Sequence, residues 1–294
     1  MHARTAAAHG RVRGLEIATR RLVEGLVSGG HDSVFRGRGI AFSEIREYRH
    51  GDDVRAIDWN VTARLNRPYV KEYIEERDLQ VYAVLDVSGS ASFGGSLAKR
   101  DRGLEVATAV VLAAQGANDR AGAFLVSDRI EMYVPARRGR RHAMRALIAM
   151  AAHEPASRAT DLRACLEAVS GIVKRRSAIV IISDMVDGGD YARPLRHLAR
   201  RHDVSVIRVT DRRERDIPDV GLIELEDGET GEQVLVDTSD PAFRAEYAAL
   251  VRRGDAELAS TLARCHVDRV DIGTEGDYGP RLLRFFRTRG RRRP

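Results

Sequence analysis

The sequence predicts an α/β protein: a mainly parallel sheet with helices on both faces, preceded by an N-terminal helix and a small β-rich segment. Two observations carry this. From Leu79 onward, short apolar and β-branched runs alternate with segments of helical periodicity. One run, AIVIIS at 178–183, is apolar almost throughout, as a strand is when both of its faces are covered. Of the 294 residues, 43% are hydrophobic and 31% charged, so a sizeable core is available and disorder is not the default.

In chain order, residues 1–12 read as a frayed start. Leu15, Ile17, Leu22, Leu26 and Val27 mark an amphipathic helix over 14–27 with an arginine face, stopped by Ser28-Gly29-Gly30. Residues 31–80 change character. Short apolar pieces (Ile40-Ala41-Phe42, Tyr69-Val70) lie between turn signals at Gly37, Gly39, His50-Gly51-Asp52-Asp53 and Asn66-Arg67-Pro68. Trp59, the single tryptophan, is expected to anchor this segment on the core. Strands are then expected at 81–86, 121–126, 130–134, 178–183, 204–209 and 267–272. A further hairpin pairs 222–225 with 233–236 around Asp227-Gly228 and Gly231. Helices are expected at 102–118, 141–152, 161–174, 191–201, 241–265 and 280–287. The organisation is therefore 1–30, tail and helix; 31–78, β-rich segment packed on the core; 79–288, main α/β domain; 289–294, basic tail.

No stretch approaches the roughly 18 to 20 apolar residues of a membrane span. The start, MHARTAAAHGRVRG, lacks the apolar centre of a signal peptide. Cys165 and Cys265 are too few for a disulfide framework, and a cytoplasmic location is expected. The formal charge of +6 comes largely from arginines at both ends and from Arg137, Arg138, Arg140 and Arg141. Solvated surface is the first reading of these clusters. An acidic protein partner is the second, and nucleic acid, for which no motif is present, the last.

The chemistry-bearing stretch is LQVYAVLDVSGSAS at 79–92. A buried strand ends there in Asp86, Ser88 and Ser90, whose alternate spacing converges three hard oxygens at a strand's carboxyl end. Two later loops qualify to complete a Mg²⁺ shell. In one, Thr160 is either a helix N-cap or a ligand; in the other, Asp184 follows the AIVIIS strand directly. Other chemistries find less support. No GxxxxGK[ST] or GxSxG motif is present, and His142, His153, His197 and His202 do not have zinc-ligand spacing. Metal-assisted hydrolysis at Asp86 and Asp184 stays open as an alternative, as does a basic scaffold on a membrane or nucleic acid.

Asp86-Val87-Ser88-Gly89-Ser90, Thr160 and Asp184 together resemble the metal-ion-dependent adhesion site of von Willebrand factor type A domains, a Rossmann-like fold. A second resemblance spans nearly the whole chain. Arg46-Glu47-Tyr48-Arg49-His50-Gly51-Asp52-Asp53, Ile57-Asp58-Trp59-Asn60-Val61-Thr62-Ala63-Arg64, Arg67-Pro68-Tyr69-Val70-Lys71-Glu72 and Glu75-Glu76-Arg77 are similar to the signature of the bacterial "domain of unknown function 58" family. The resemblance implies a non-enzymatic, metal-dependent protein-interaction module, an adaptor or co-chaperone of a MoxR-type AAA+ ATPase or its client. It implies Mg²⁺ or Mn²⁺ held directly by Ser88 and Ser90, by Thr160 directly or through water, and by Asp86 and Asp184 mostly through water. In type A domains a glycine usually follows the second aspartate; here Met185 follows Asp184.

Overall fold

The structure is a computed structural model of the full chain. It describes residues 2–27, 41–65, 67–74, 79–94 and 97–292; among these, the side chains at 2–6, 41–44, 71–74 and 290–292 are not described. The expected stops at Ser28-Gly29-Gly30, Gly37, Gly39 and Asn66, together with Ile40 and Glu75-Glu76-Arg77, lie outside the described residues. The chain divides into two compact units, 37–78 and the remainder.

The large unit begins with α1 (His2–Val27). This corrects the expected frayed start. The buried positions Ala8, Val12, Thr19, Leu22 and Leu26 continue one stripe at helical spacing along the helix, and it packs on later helices of the unit. The small residues near its start carry too little hydrophobicity to stand out as part of that stripe.

In the small unit, β1 (Ala41–Glu47) pairs antiparallel with β2 (Tyr69–Ile74), and α2 (Trp59–Leu65) lies between them in sequence. The signature residues hold this unit together. Arg46 donates to both Asp52 oxygens at 2.8 and 2.9 Å, and the Arg49 amide donates to Asp52 at 2.8 Å, which brings the Asp52 carboxyl down to about 2. Asp58 accepts from the Asn60 amide at 2.9 Å, at the start of α2. Trp59 is 67% exposed, and within this unit its neighbour Asp58 does the local fixing.

The main sheet is built from β3 (Gln80–Asp86), β4 (Arg120–Val126), β5 (Ile130–Arg137), β6 (Ala178–Ser183), β7 (Asp203–Thr210) and β10 (Asp268–Gly273). Its order is β10-β7-β6-β3-β4-β5, parallel except for the β4–β5 pair. A separate ribbon, β8 (Leu222–Glu226) with β9 (Gln233–Asp237), forms the expected hairpin. The remaining helices are α3 (Lys99–Gly116), α4 (Arg140–Ala152), α5 (Leu162–Ile172), α6 (Ala192–Arg201), α7 (Arg212–Arg215), α8 (Pro241–Arg264) and α9 (Gly279–Arg292).

Side chains alternate across the sheet into two cores. Val81, Ala83, Leu85, Val180 and Ile182 join α1, α3, α4 and α9 on one face. Tyr82, Val84, Phe124, Ile179 and Ile181 join α5, α6 and α8 on the other. Helices therefore cover both faces, as the apolar AIVIIS strand required. Both cysteines are free and buried.

The expected basic tail at 289–294 is also corrected. Helix α9 runs through Arg292, and Arg289 is buried, donating to Asp268 and Asp203 at 2.7 Å each and to the Val204 carbonyl at 2.9 Å. An arginine that reads as a tail charge in sequence is a tertiary clamp on two strands.

His202 caps α6 with both ring nitrogens buried and without a hydrogen-bond partner among the described residues. Burial, with the nearby Arg201 charge adding, brings its pKa down to about 4. A depressed folded value means that stability falls as pH drops below the unfolded value of roughly 6.5, and stops falling near the folded value. Substitution His202→Leu is expected to remove this acid loss and leave stability at pH 7 unchanged or higher, since an unpaired polar group is replaced by an apolar one. Urea melts at pH 7 and 5 check it.

Candidate functional site

The sheet order reverses direction at β3: β4 lies on one side and β6 on the other. The carboxyl ends of β3 and β6 thus form the crevice where open α/β sheets bind ligands. Asp86 ends β3, Ser183 ends β6, and Asp184 begins the turn beyond it.

Asp86 is buried and accepts three hydrogen bonds. Its Oδ1 accepts from the Ser88 amide at 3.0 Å and the Ser88 hydroxyl at 2.7 Å; its Oδ2 accepts from the Ser183 hydroxyl at 2.8 Å. Burial pushes its carboxyl up to about 6, the Asp184 charge adds to this, and the Ser88 and Ser183 hydrogen bonds oppose it. Ser88 Oγ and Ser90 Oγ lie 3.2 Å apart. Adjacent oxygens of an octahedral Mg²⁺ shell at its usual bond length are about 2.9 Å apart, so the two hydroxyls fit neighbouring ligand positions with little adjustment. Asp86, Ser88 and Ser90 thus form a connected cluster. Ser183, which carries no site signal of its own in the sequence, belongs to it.

Asp184 sits beside the cluster but faces a different partner. Its Oδ2 lies 2.6 Å from Lys99 Nζ, which also donates to Glu214 at 2.5 Å. Lys99 is buried. Its burial opposes the charge, yet the Asp184 and Glu214 charges and hydrogen bonds outweigh it and raise the ammonium pKa. The Glu214 carboxyl is also raised, chiefly by burial. A cavity of about 530 Å³ has Asp184 in its wall. Met185 has φ of 59°, the left-handed region, so this loop takes at a methionine the conformation that glycine adopts most easily.

Thr160 is not a cap. Asp161 caps α5, accepting from the Ala164 amide at 2.8 Å, which leaves the Thr160 hydroxyl available for another role. The loop before it reaches the first loop through the backbone: the Gly89 amide donates to the Arg158 carbonyl at 2.7 Å. Glu131 on β5 holds this loop, accepting from the Ala156 and Ser157 amides at 3.1 Å each. The Thr160 hydroxyl donates to Glu229 Oε1 at 2.5 Å. Lys99, Glu214 and Glu229 are not legible as site residues in the sequence. Each comes from a segment whose local pattern explains it fully as a helix start, a helix charge or a turn.

Two carboxylates behind two hydroxyls, at the crevice of a mostly parallel sheet, define an α/β protein of Rossmann-like build with an oxygen-lined site at its carboxyl edge. Residues 44–257 match the family described as "Protein of unknown function DUF58", and the chain belongs to that family. It is 35% identical over 283 residues to "Uncharacterized protein Rv1480" of Mycobacterium tuberculosis, covering 95% of this chain and 89% of the relative. The figures for "Uncharacterized protein Mb1516" of Mycobacterium bovis are the same, 35% over 283 residues. Among solved structures, the conserved hypothetical protein BatB from Bacteroides thetaiotaomicron superposes with a TM-score of 0.47 at 12% identity, over 73% of this chain and 99% of that one. An aerotolerance-related membrane protein from Bacteroides fragilis gives a TM-score of 0.48 at 13% identity over the same shares, 73% and 99%.

Proposed function

We propose that the chain is a non-enzymatic, metal-dependent protein-interaction module of the von Willebrand factor type A kind. Ser88 and Ser90 would hold Mg²⁺ or Mn²⁺ directly, Thr160 directly or through water, and Asp86 and Asp184 through water. The bound ion supplies an electrophilic position that a partner's carboxylate can fill, a charge-assisted contact at the centre of an interface. The observation that supports this most is the pair of serine hydroxyls at ligand spacing in front of a buried aspartate whose carboxyl is raised by burial.

A binding role is favoured over hydrolysis because the sequence carries no GxxxxGK[ST] loop to grip a phosphate. Asp86 accepts three hydrogen bonds, and Asp184 is paired with Lys99. Among the described residues no helix is long and apolar enough to cross a membrane. We place the module in the cytoplasm, as an adaptor or co-chaperone whose partner is a MoxR-type AAA+ ATPase or its client; the family signature over 46–72 supports this assignment.

With the purified full chain on resin and a MoxR-type ATPase from the same genome, capture is expected in Mg²⁺ and lost in chelator or with Asp86→Ala. Capture that is unchanged by chelator overturns the metal-dependent reading. Turnover of a phosphoester panel by the wild type that Asp86→Ala abolishes would favour the hydrolase.

A further inference from the structure

The β8–β9 hairpin is held in an unusual way. One face of the ribbon is open, with Leu222, Val234 and Leu235 68%, 51% and 70% exposed, and the apolar residues of its other face, Ile223, Leu225 and Val236, are only half-buried. A two-stranded ribbon is marginal on its own. Its base is tied by Thr238, which donates to the Gly221 carbonyl at 2.7 Å and accepts from the Val220 amide at 3.0 Å. At its far end Glu226 lies 3.8 Å from Arg158, and the tip lies on the candidate metal site.

Asp227 shapes that tip by accepting from the Glu229 and Thr230 amides at 2.8 and 2.9 Å. Glu229 then engages Thr160 twice: it accepts from the hydroxyl at 2.5 Å and from the amide at 3.4 Å. The preceding residue meets the serine loop backbone to backbone. A Cβ on Gly89 would stand 1.9 Å from the Gly228 carbonyl oxygen, and a Cβ on Gly228 would stand 2.8 Å from the Gly89 carbonyl oxygen. Only glycine on both sides permits this approach. A carboxylate is therefore already seated on one of the five candidate ligand residues, delivered by a loop with no side chain ahead of it.

We infer that the Gly228-Glu229 tip is a built-in occupant of the partner position, and that the protein partner presents the same epitope: a turn in which glycine precedes glutamate. This rests on the metal-dependent reading of the site proposed above. The free chain is self-capped, and the partner binds by displacing the tip. Its affinity is reduced by the fraction of chains in which the tip is docked. Glycine in the partner turn is a specificity element, because any side chain there meets the Gly89 carbonyl.

The test uses the full-length protein and a cyclised synthetic hairpin of residues 222–237 as probe, with a control peptide carrying glutamine in place of its glutamate. In Mg²⁺, Glu229→Gln and Gly228→Val are each expected to bind the probe at least about tenfold more tightly than wild type, the tip no longer competing. The control peptide is expected not to bind. The inference is overturned if neither variant gains affinity, or if the control binds as well as the probe. The two readings fail differently. A gain that persists in chelator upholds the self-capping tip and overturns the metal reading. A wild type that Mg²⁺ stabilises, with no gain in either variant, overturns self-capping alone.

Discussion

Replacing Lys99 with methionine is expected to cost about 3–5 kcal/mol of stability in metal-free buffer, the usual penalty for removing one partner of a buried ion pair. Lys99 is 4% exposed and stands 2.6 Å from Asp184 and 2.5 Å from Glu214. Methionine keeps the apolar stem and leaves two carboxylates facing each other without that cation. Their simplest relief is to take up protons, so the loss is greatest at neutral pH and shrinks in acid. Divalent metal offers a second relief. Removing a fixed positive charge beside Asp184 favours a cation at the adjacent serine loop, so Mg²⁺ is expected to restore part of the lost stability and to bind more tightly than in wild type. Urea melts in chelator and in Mg²⁺, at pH 5 and pH 7.5, check each part.

Asp86→Asn is expected to abolish stabilisation by Mg²⁺ and to change the pH profile of the metal-free protein. In chelator, a carboxyl raised to about 6 makes the folded state less stable as pH rises from the unfolded value of roughly 4 towards 6. Each pH unit between the two values is worth about 1.4 kcal/mol, so the whole effect is about 3 kcal/mol. His202, brought down to about 4, acts with the opposite sign across nearly the same window. The asparagine substitution removes the first contribution and leaves the second, so between about pH 4 and pH 6 the variant's stability should rise more steeply with pH than the wild type's. With Mg²⁺ at roughly a hundredfold excess over its dissociation constant, the wild type should gain about 2.7 kcal/mol and the variant nothing. A variant that still responds to Mg²⁺ would place the ion elsewhere.

The candidate site is legible in proportion to how local its chemistry is. Asp86, Ser88 and Ser90 are readable because one strand end carries all three at alternate positions, and Asp184 because it directly follows an apolar strand. Thr160 is ambiguous between cap and ligand in sequence; the Asp161 cap resolves the capping half of that choice. Ser183 escapes notice although adjacent to Asp184, since its role depends on facing Asp86 across two strands. Helix α1 reads too short, and Arg289 reads as a tail charge, because both depend on what they pack against and not on their own sequence neighbourhood.

By itself the sequence determined the alternation of strands and helices, the two-sided burial of the sheet and the placement of oxygen-bearing residues at strand ends. These follow from periodicities of about two and 3.6 residues, which a linear pattern contains in full. Only the tertiary structure decided which charges neutralise the site and what covers it. Lys99 meets Asp184 across 85 residues and Glu214 across 115, and Glu229 meets Thr160 across 69. Contacts at such separations depend on how the sheet orders its strands, and no local pattern in a lysine at a helix start or a glutamate in a turn records where the chain will return.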